Sequence, residues 1–165
     1  MYDIIGDIHG HAGPLKQLLD RLGYRETNGV WRHSHRKALF LGDYIDRGPE
    51  QVEVVRVVRA MVDAGSALAI MGNHEFNAVA WATPHPSHPG EHLRPHTAKN
   101  RHQHHAFLEQ VGEGSPLHQE VIDWCRTLPL YLDLPELRAV HACWHPVHIT
   151  TLSRELDDRQ RLPAD

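Results

Sequence analysis

The sequence has few cysteines and no long hydrophobic run, and these two features argue against disulfide-rich and membrane-spanning proteins. Only Cys125 and Cys143 occur in 165 residues, which excludes a disulfide framework and indicates a reducing compartment. No stretch approaches the roughly 20 apolar residues of a membrane-spanning helix, and the start, MYDIIGDIHG, lacks the basic segment of a signal peptide. We therefore expect a cytoplasmic protein with no membrane partner.

Clustered positive charge is also missing. The formal net charge is −4 with histidine neutral, and no dense run of lysine or arginine occurs. Because proteins that bind nucleic acid usually carry a basic patch, a nucleic-acid partner is disfavoured. Hydrophobic residues make up 41% of the chain, which is enough for a folded core, and the length predicts a single domain over residues 1–165.

Histidine, in contrast, is abundant, with 16 residues. It is the commonest metal ligand and the usual acid or base near neutral pH, but so many cannot share one site. Several crowd residues 83–105, a proline-rich insertion that we expect to be a solvated loop, with a lid or an adventitious zinc site as the alternative. We expect His11 to begin the first helix, and His33, His35 and His118 to lie on the surface.

Three short apolar segments share one design, in which a strand-like run ends in glycine followed by a short oxygen-bearing side chain. They are YDIIGD, ending at Asp7, ALFLGD, ending at Asp43, and ALAIMGN, ending at Asn73. Such continuous runs are typical of parallel strands buried on both faces. The intervening segments GPLKQLLDRLG and GPEQVEVVRVVRAMVDAG have the proline start and glycine stop of helices, although the valines of the second would also suit a strand. The predicted order is β-α-β-α-β, an α/β fold, with a hairpin strand around GVWRH.

The second half predicts further elements. GNHEFNAVAWA begins a helix, and SPLHQEVIDWCRTLP is a helix with Ser115 as its N-cap and Pro116 at its first position. LYLDL and LRAVHACW predict two strands joined by a tight turn, and ITTLSRELDDRQRLPAD predicts a frayed terminal helix. We find no long repeat and no clear second domain.

The predicted strand ends carry only oxygen and imidazole donors, and ligands of an open α/β sheet bind at that edge. The donors are Asp7, His9, Asp43, Asn73, His74 and His141. Such a set suits manganese, iron or zinc, and a two-metal centre would relieve the repulsion between its carboxylates. A single Gly-Asp pair after a strand often does no more than form a turn. Three strands that each end in Gly-Asp or Gly-Asn, with Asp46 and Arg47 a few residues further on, favour a metal site.

Four motifs together resemble those of the calcineurin-like metallophosphoesterases. They are GDIHG (6–10), GDYIDRG (42–48), GNHE (72–75) and VHA (140–142). The resemblance is nearest to the bacterial branch that is similar to serine/threonine protein phosphatases and symmetrical diadenosine tetraphosphatases. It implies a β-sandwich flanked by helices, with the active site at the C-terminal ends of the strands.

The resemblance also implies a set of metal ligands. Asp7, His9 and Asp43 would hold a first divalent metal, and Asp43, Asn73 and His141 would hold a second, with Asp43 bridging. Manganese is the expected metal, with iron or zinc as alternatives. A water or hydroxide between the two ions would attack phosphorus in line.

Catalytic roles follow from the same resemblance. His74 would protonate the leaving alcohol, Asp46 would orient that imidazole, and Arg47 would clamp the phosphoryl oxygens with its planar guanidinium group. The implied substrate is a phosphoprotein, a dinucleoside polyphosphate or a small phosphoester. Neither cysteine is needed, and we expect Cys143 to be buried and inert.

One feature of the family pattern is missing. The family usually has a further metal-binding histidine in a GH motif beyond VHA, together with a second phosphate-binding arginine, and no GH dipeptide follows His11. We therefore expect a C-terminally incomplete chain with a weakened second metal, and substitution by His145 or His148 is the alternative. The competing functions are a catalytically impaired metal-binding or interaction module and a histidine-driven zinc buffer.

Overall fold

Strands and helices alternate along the first half of the chain, as the sequence predicts. The structure is a computed structural model that describes residues 1–163. In chain order its elements are β1 (Tyr2–Ile5), α1 (Ala12–Arg21), β2 (Arg25–Thr27), β3 (Val30–Arg32), β4 (Lys37–Phe40), α2 (Gln51–Asp63), β5 (Ala67–Ala69), α3 (Asn73–Ala82), α4 (Ala98–Val111), α5 (Pro116–Arg126), β6 (Tyr131–Leu134), β7 (Leu137–Val140) and α6 (Pro146–Leu152). The strands β1, β4 and β5 pair in parallel in the order β1-β4-β5, so their carboxyl ends meet at one edge.

Helix α2 packs against this sheet, which explains why its valine-rich sequence is helical. Its buried apolar side chains are Val54, Val55, Val57, Val58 and Met61. The helix-propensity cost of a valine is below about 0.7 kcal/mol, whereas burying its side chain contributes roughly 1.5–3 kcal/mol. Tertiary burial therefore outweighs the strand preference of these residues.

The prediction that the strands are buried on both faces is confirmed for β4 but is wrong for β1. Leu39 and Phe40 are fully buried, whereas Ile4 remains 61% exposed. The difference follows from the strand order, since β4 lies between two neighbours and β1 is at the edge of the sheet. No helix within residues 1–163 has the length and apolar character needed to cross a membrane.

Several smaller predictions are confirmed. Strands β2 and β3 pair in antiparallel fashion, as do β6 and β7. His11 is the N-cap of α1, and Ser115 caps α5 by accepting a hydrogen bond from the His118 amide at 3.0 Å. The predicted terminal helix is limited to α6 and the turns after it, and residues 164–165 lie outside the described part of the chain.

Three expectations, about the histidine-rich region, His118 and Cys143, are wrong. Only residues 83–97 are irregular, because α4 begins at Ala98 and takes up the rest of the predicted loop. The inward face of α4 includes a buried histidine, His104. His118 is likewise buried, with Nδ1 accepting from the Gly114 amide at 3.0 Å. Cys143 is exposed, whereas Cys125 is buried.

Candidate metal site and adjoining cavity

The loops after β1 and β4 are joined by backbone hydrogen bonds, and this pairing positions the donors. The amides of Ile8 and His9 donate to the carbonyl oxygen of Asp43 at 3.0 and 2.9 Å. In return the Gly48 amide donates to the His9 carbonyl at 2.9 Å. A Cβ atom at Gly48 would lie 2.3 Å from that carbonyl oxygen, so only glycine permits this approach.

Four of the predicted site residues have a left-handed backbone. The φ angles are 48° at His9, 55° at Asp43, 68° at Asp46 and 71° at Arg47. Residues other than glycine adopt such angles at a cost of about 1–3 kcal/mol each, and this strain clusters at functional sites. The left-handed backbone of these loops therefore sets the directions in which the four side chains leave the main chain.

Asp43 is buried, and its two carboxylate oxygens have different surroundings. Oδ1 accepts a hydrogen bond from the His74 amide at 3.1 Å. Oδ2 lies 3.5 Å from Nε2 of His141, 3.6 Å from Nε2 of His9 and 3.9 Å from Nε2 of His74. One oxygen thus faces three imidazole nitrogens.

Two of these imidazoles have their orientation fixed by the other ring nitrogen. Nδ1 of His9 donates to the Ile45 carbonyl at 2.9 Å, and Nδ1 of His141 donates to the Leu41 carbonyl at 2.7 Å. In the neutral imidazole each Nε2 atom then carries a lone pair, and Nε2 of His9 is buried without a hydrogen-bond partner. A lone pair facing carboxylate oxygen is unfavourable unless a cation lies between them, and anchoring through Nδ1 is usual for metal-binding histidines. The donors therefore fit a bound metal ion.

Two groups of three donors could hold such an ion, and Asp43 belongs to both. One group is Asp7, Asp43 and His141, and the other is His9, Asp43 and His74, with the ligand atoms of each group within 4.8 Å of one another. Oδ2 of Asp7 also lies 3.8 Å from Nε2 of His9.

The remaining predicted ligand lies at the same place. Oδ1 of Asn73 is 3.0 Å from Nε2 of His141, so the structure brings all five predicted metal ligands together. His145 and His148, the suggested substitutes for a missing ligand, are exposed and belong to neither donor group.

His74 and Asp46 form a close pair beside these donors. Nδ1 of His74 lies 2.6 Å from Oδ2 of Asp46. This hydrogen bond, aided by the charges of Asp43 and Asp46, raises the pKa of His74 against the opposing effect of burial. Burial alone would raise the pKa of Asp46, but hydrogen bonds from His104 and His74 lower it below its ordinary value. The pair thus favours a protonated imidazole, the form that can act as an acid.

Glu75 has a structural role that the sequence analysis did not assign. Its carboxylate is fully buried and accepts from the amides of Asp43 and Tyr44, both at 2.8 Å, of Gly72 at 3.0 Å and of Ile45 at 3.3 Å. Burial and the charge of Asp43 raise the pKa of Glu75 to about 6, although the amide donors act in the opposite direction. Its place within GNHE was the only sequence signal.

Replacing Glu75 with Gln should destabilise the fold, because one acceptor oxygen becomes an NH₂ group that faces backbone donors. Hydrogen bonds to charged groups contribute about 1.5–3 kcal/mol each, so we expect a loss of about 2–3 kcal/mol in the free energy of unfolding. Urea denaturation of the wild type and of Glu75→Gln measures this difference in the free energy of unfolding. The exposed control Glu136→Gln should change it by less than about 0.5 kcal/mol, and equal effects of the two substitutions would contradict the assignment.

His104, on α4, was wrongly predicted to lie in a solvated loop. Its side chain is fully buried, and Nδ1 donates to Oδ1 of Asp46 at 2.8 Å. The ring packs against Trp81 and Phe107, with centroid separations of 5.8 and 4.9 Å. Asp46 therefore lies between two imidazoles, that of His104 and that of His74.

A cavity of about 540 Å³ opens beside the His74–Asp46 pair. This volume is within the range of roughly 300–1,000 Å³ that is usual for small-molecule sites. Its walls include Arg47, Asn73 and His74 and, from the histidine-rich region, Arg94 and Gln103. The predicted phosphate-clamping residue Arg47 is exposed towards this space.

Comparison with known proteins now identifies the family. The profile of the calcineurin-like phosphoesterases matches residues 2–159. The chain belongs to the calcineurin-like phosphoesterase family. The resemblance expected from the four motifs is thereby confirmed.

Curated members of this family that are similar to the chain include bis(5'-nucleosyl)-tetraphosphatases of two kinds. The asymmetrical protein PrpE of Oceanobacillus iheyensis is 45% identical over 73 residues, which cover 44% of this chain and 29% of that protein. The symmetrical protein of Vibrio cholerae is 31% identical over 140 residues, which cover 84% of this chain and 43% of that protein. The chain thus spans less than half the length of these relatives.

Among solved structures, the cold-active protein-tyrosine phosphatase of a psychrophilic Shewanella species is similar in fold. The TM-score is 0.61 at 21% sequence identity, and the match covers 94% of this chain and 44% of that one. The predicted α/β metallophosphoesterase fold is therefore confirmed.

Proposed function

We propose that this chain carries the catalytic core of a metal-dependent phosphoesterase, which transfers a phosphoryl group directly to water. The observation that carries this proposal is the convergence of three imidazole nitrogens on one oxygen of Asp43, with the buried Nε2 of His9 unpartnered. The proposed metal ligands are Asp7, His9, Asp43, Asn73 and His141. Two divalent cations, with manganese as first choice and iron or zinc as alternatives, would supply the activated water and the Lewis acidity.

The protein's own residues then position the substrate and move a proton. Arg47 binds two phosphoryl oxygens through its planar guanidinium group. As the bond between phosphorus and the leaving oxygen breaks, His74 donates its Nε2 proton to that oxygen. Asp46 holds the imidazole through Nδ1 at 2.6 Å and stabilises its charged form. Cys125 is buried and Cys143 does not line the cavity, so neither thiol is placed to form a cysteinyl-phosphate intermediate.

Dinucleoside polyphosphates are the substrate class that we propose. Both tetraphosphatase relatives are named for such substrates, and the cavity beside His74 is larger than a single phosphate group requires. A phosphoprotein or a small phosphoester remains the alternative. Because the chain covers only part of its relatives, its activity must be measured on this chain itself.

Hydrolysis of p-nitrophenyl phosphate by the purified chain tests the proposed function. We expect turnover in the presence of Mn²⁺, abolished by a chelator and restored by fresh metal. A folded protein that binds metal but shows no turnover with Mn²⁺, Fe²⁺ or Zn²⁺ would instead indicate a metal-binding or interaction module.

Replacing His104 with Leu should lower kcat by about 10- to 100-fold, the range found for outer partners that orient reactive or ligating side chains. Asp46 would lose one of its two imidazole donors and hold His74 less firmly. His104→Asn places an amide N–H near the position of Nδ1, so it should restore most of kcat.

Steady-state kinetics and urea midpoints for both variants separate positioning from folding. The exposed control His35→Asn should match the wild type. If His104→Leu and His104→Asn were equally slow, or if folded His104→Leu kept full kcat, the positioning role of His104 would be refuted.

A further inference from the structure

Arg94 lies in the wall of the cavity that also holds Arg47 and His74. It comes from the irregular segment before α4, a region outside the four sequence motifs. The segment is held in place there, because the Arg94 amide donates to the Ala80 carbonyl at 3.0 Å and Nη2 donates to Oε1 of Gln103 at 2.9 Å. The guanidinium group is therefore positioned rather than free in solvent.

The charge of this cavity favours an anion. Within residues 1–163, neither Arg47 nor Arg94 forms a salt bridge, although eight other lysines and arginines do. Among the residues that line the cavity only Asp46 is acidic, and two imidazoles already share its charge. Arg94 is half-buried, and burial lowers its pKa by more than the negative charge of Asp46 raises it, so a bound anion would stabilise the guanidinium charge further. Two guanidinium groups from different segments thus face the same space, and neither is engaged in a salt bridge within the described residues.

We infer that Arg94 binds a second phosphoryl group, beyond the one that is cleaved, so that the site favours substrates with two or more linked phosphates. The inference rests on the proposed function and adds a specificity-determining residue to it. Arg47 holds the reacting phosphoryl group beside His74, and Arg94 holds the neighbouring phosphoryl group of the substrate's polyphosphate. A planar guanidinium group suits this role because it can donate to two phosphate oxygens at once.

Kinetics with two substrates tests the role of Arg94. The value of kcat/KM is measured for diadenosine tetraphosphate and for p-nitrophenyl phosphate, and the ratio of the two values is compared among variants. Arg94→Ala should lower this ratio by about 10- to 100-fold, since charge-assisted hydrogen bonds to the second phosphate are lost. Arg94→Lys should lower it less, because the point charge is kept without the planar fork. The exposed control Arg21→Ala, on α1, should keep the wild-type ratio.

Direct binding provides a readout that does not depend on turnover. After removal of free metal, Mn²⁺-loaded protein is titrated calorimetrically with methylenediphosphonate and with methylphosphonate. The wild type should prefer the diphosphonate, and Arg94→Ala should lose that preference. Absence of turnover together with an Arg94-dependent preference would overturn the proposed activity but not this site.

Two results would overturn the inference itself. The first is an equal loss of kcat/KM for both substrates in Arg94→Ala, since that would indicate a structural role for the segment before α4. The second is a wild-type protein that binds the diphosphonate no more tightly than the monophosphonate.

Discussion

Turnover should fall by about a thousandfold in Asp43→Asn, and the bound metal should fall with it. Oδ2 of Asp43 is the one oxygen that faces His9, His74 and His141, at 3.5 to 3.9 Å. The amide keeps the shape of the side chain but removes the negative charge common to both donor groups. Metal ions stabilise a transition state by several kcal/mol, and a loss of about 4 kcal/mol corresponds to roughly a thousandfold in rate.

Calorimetric titration with Mn²⁺ and hydrolysis of p-nitrophenyl phosphate measure the two effects of Asp43→Asn. The exposed control Asp158→Asn should match the wild type in both assays. Metal binding that survived Asp43→Asn would point to the histidines of residues 83–105, and so to a zinc buffer instead of a catalytic centre.

The second large effect is expected for His74→Asn, and it depends on the leaving group. General acid catalysis contributes about 10²- to 10⁴-fold, so hydrolysis of an alkyl phosphate should fall by that amount. Hydrolysis of p-nitrophenyl phosphate should fall much less, because p-nitrophenolate leaves readily without a proton. The raised pKa of His74, caused first by its hydrogen bond to Asp46, supports this role as proton donor.

The same variant decides between two roles for His74. Its Nε2 lies 3.9 Å from Oδ2 of Asp43, and the residue belongs to one of the two candidate metal groups. A proton donor predicts unchanged Mn²⁺ affinity and a strong dependence on the leaving group. A metal ligand predicts weaker Mn²⁺ binding and equal losses for both substrates.

Residues near strand ends could be predicted from the sequence because their positions follow from local rules. Strands β1, β4 and β5 pair in parallel, so the residues after them necessarily meet at one edge of the sheet. Asp7, Asp43 and Asn73 each come directly after such a run, and the structure places them together. The edge position of β1, which leaves Ile4 exposed, is set by strand order and has no local signal.

The residues that were missed depend on contacts between distant parts of the chain. His104 reaches Asp46 across 58 positions, and its histidine-rich surroundings are typical of a solvated loop. The role of Glu75 depends on four amides whose directions are set by left-handed turns, which composition cannot reveal. Arg94 acquires a role only once α4 is present to form the cavity wall.

Anomalous diffraction from crystals of the chain grown with Mn²⁺ tests the proposed metal centre most directly. We predict two anomalous peaks roughly 3.5–4 Å apart, one on each side of the Asp43 carboxylate. One peak should contact His9 and the other His141. A map with no peak at Asp43, or with manganese only at an exposed histidine such as His88, would contradict the metal centre and the phosphoesterase function that depends on it.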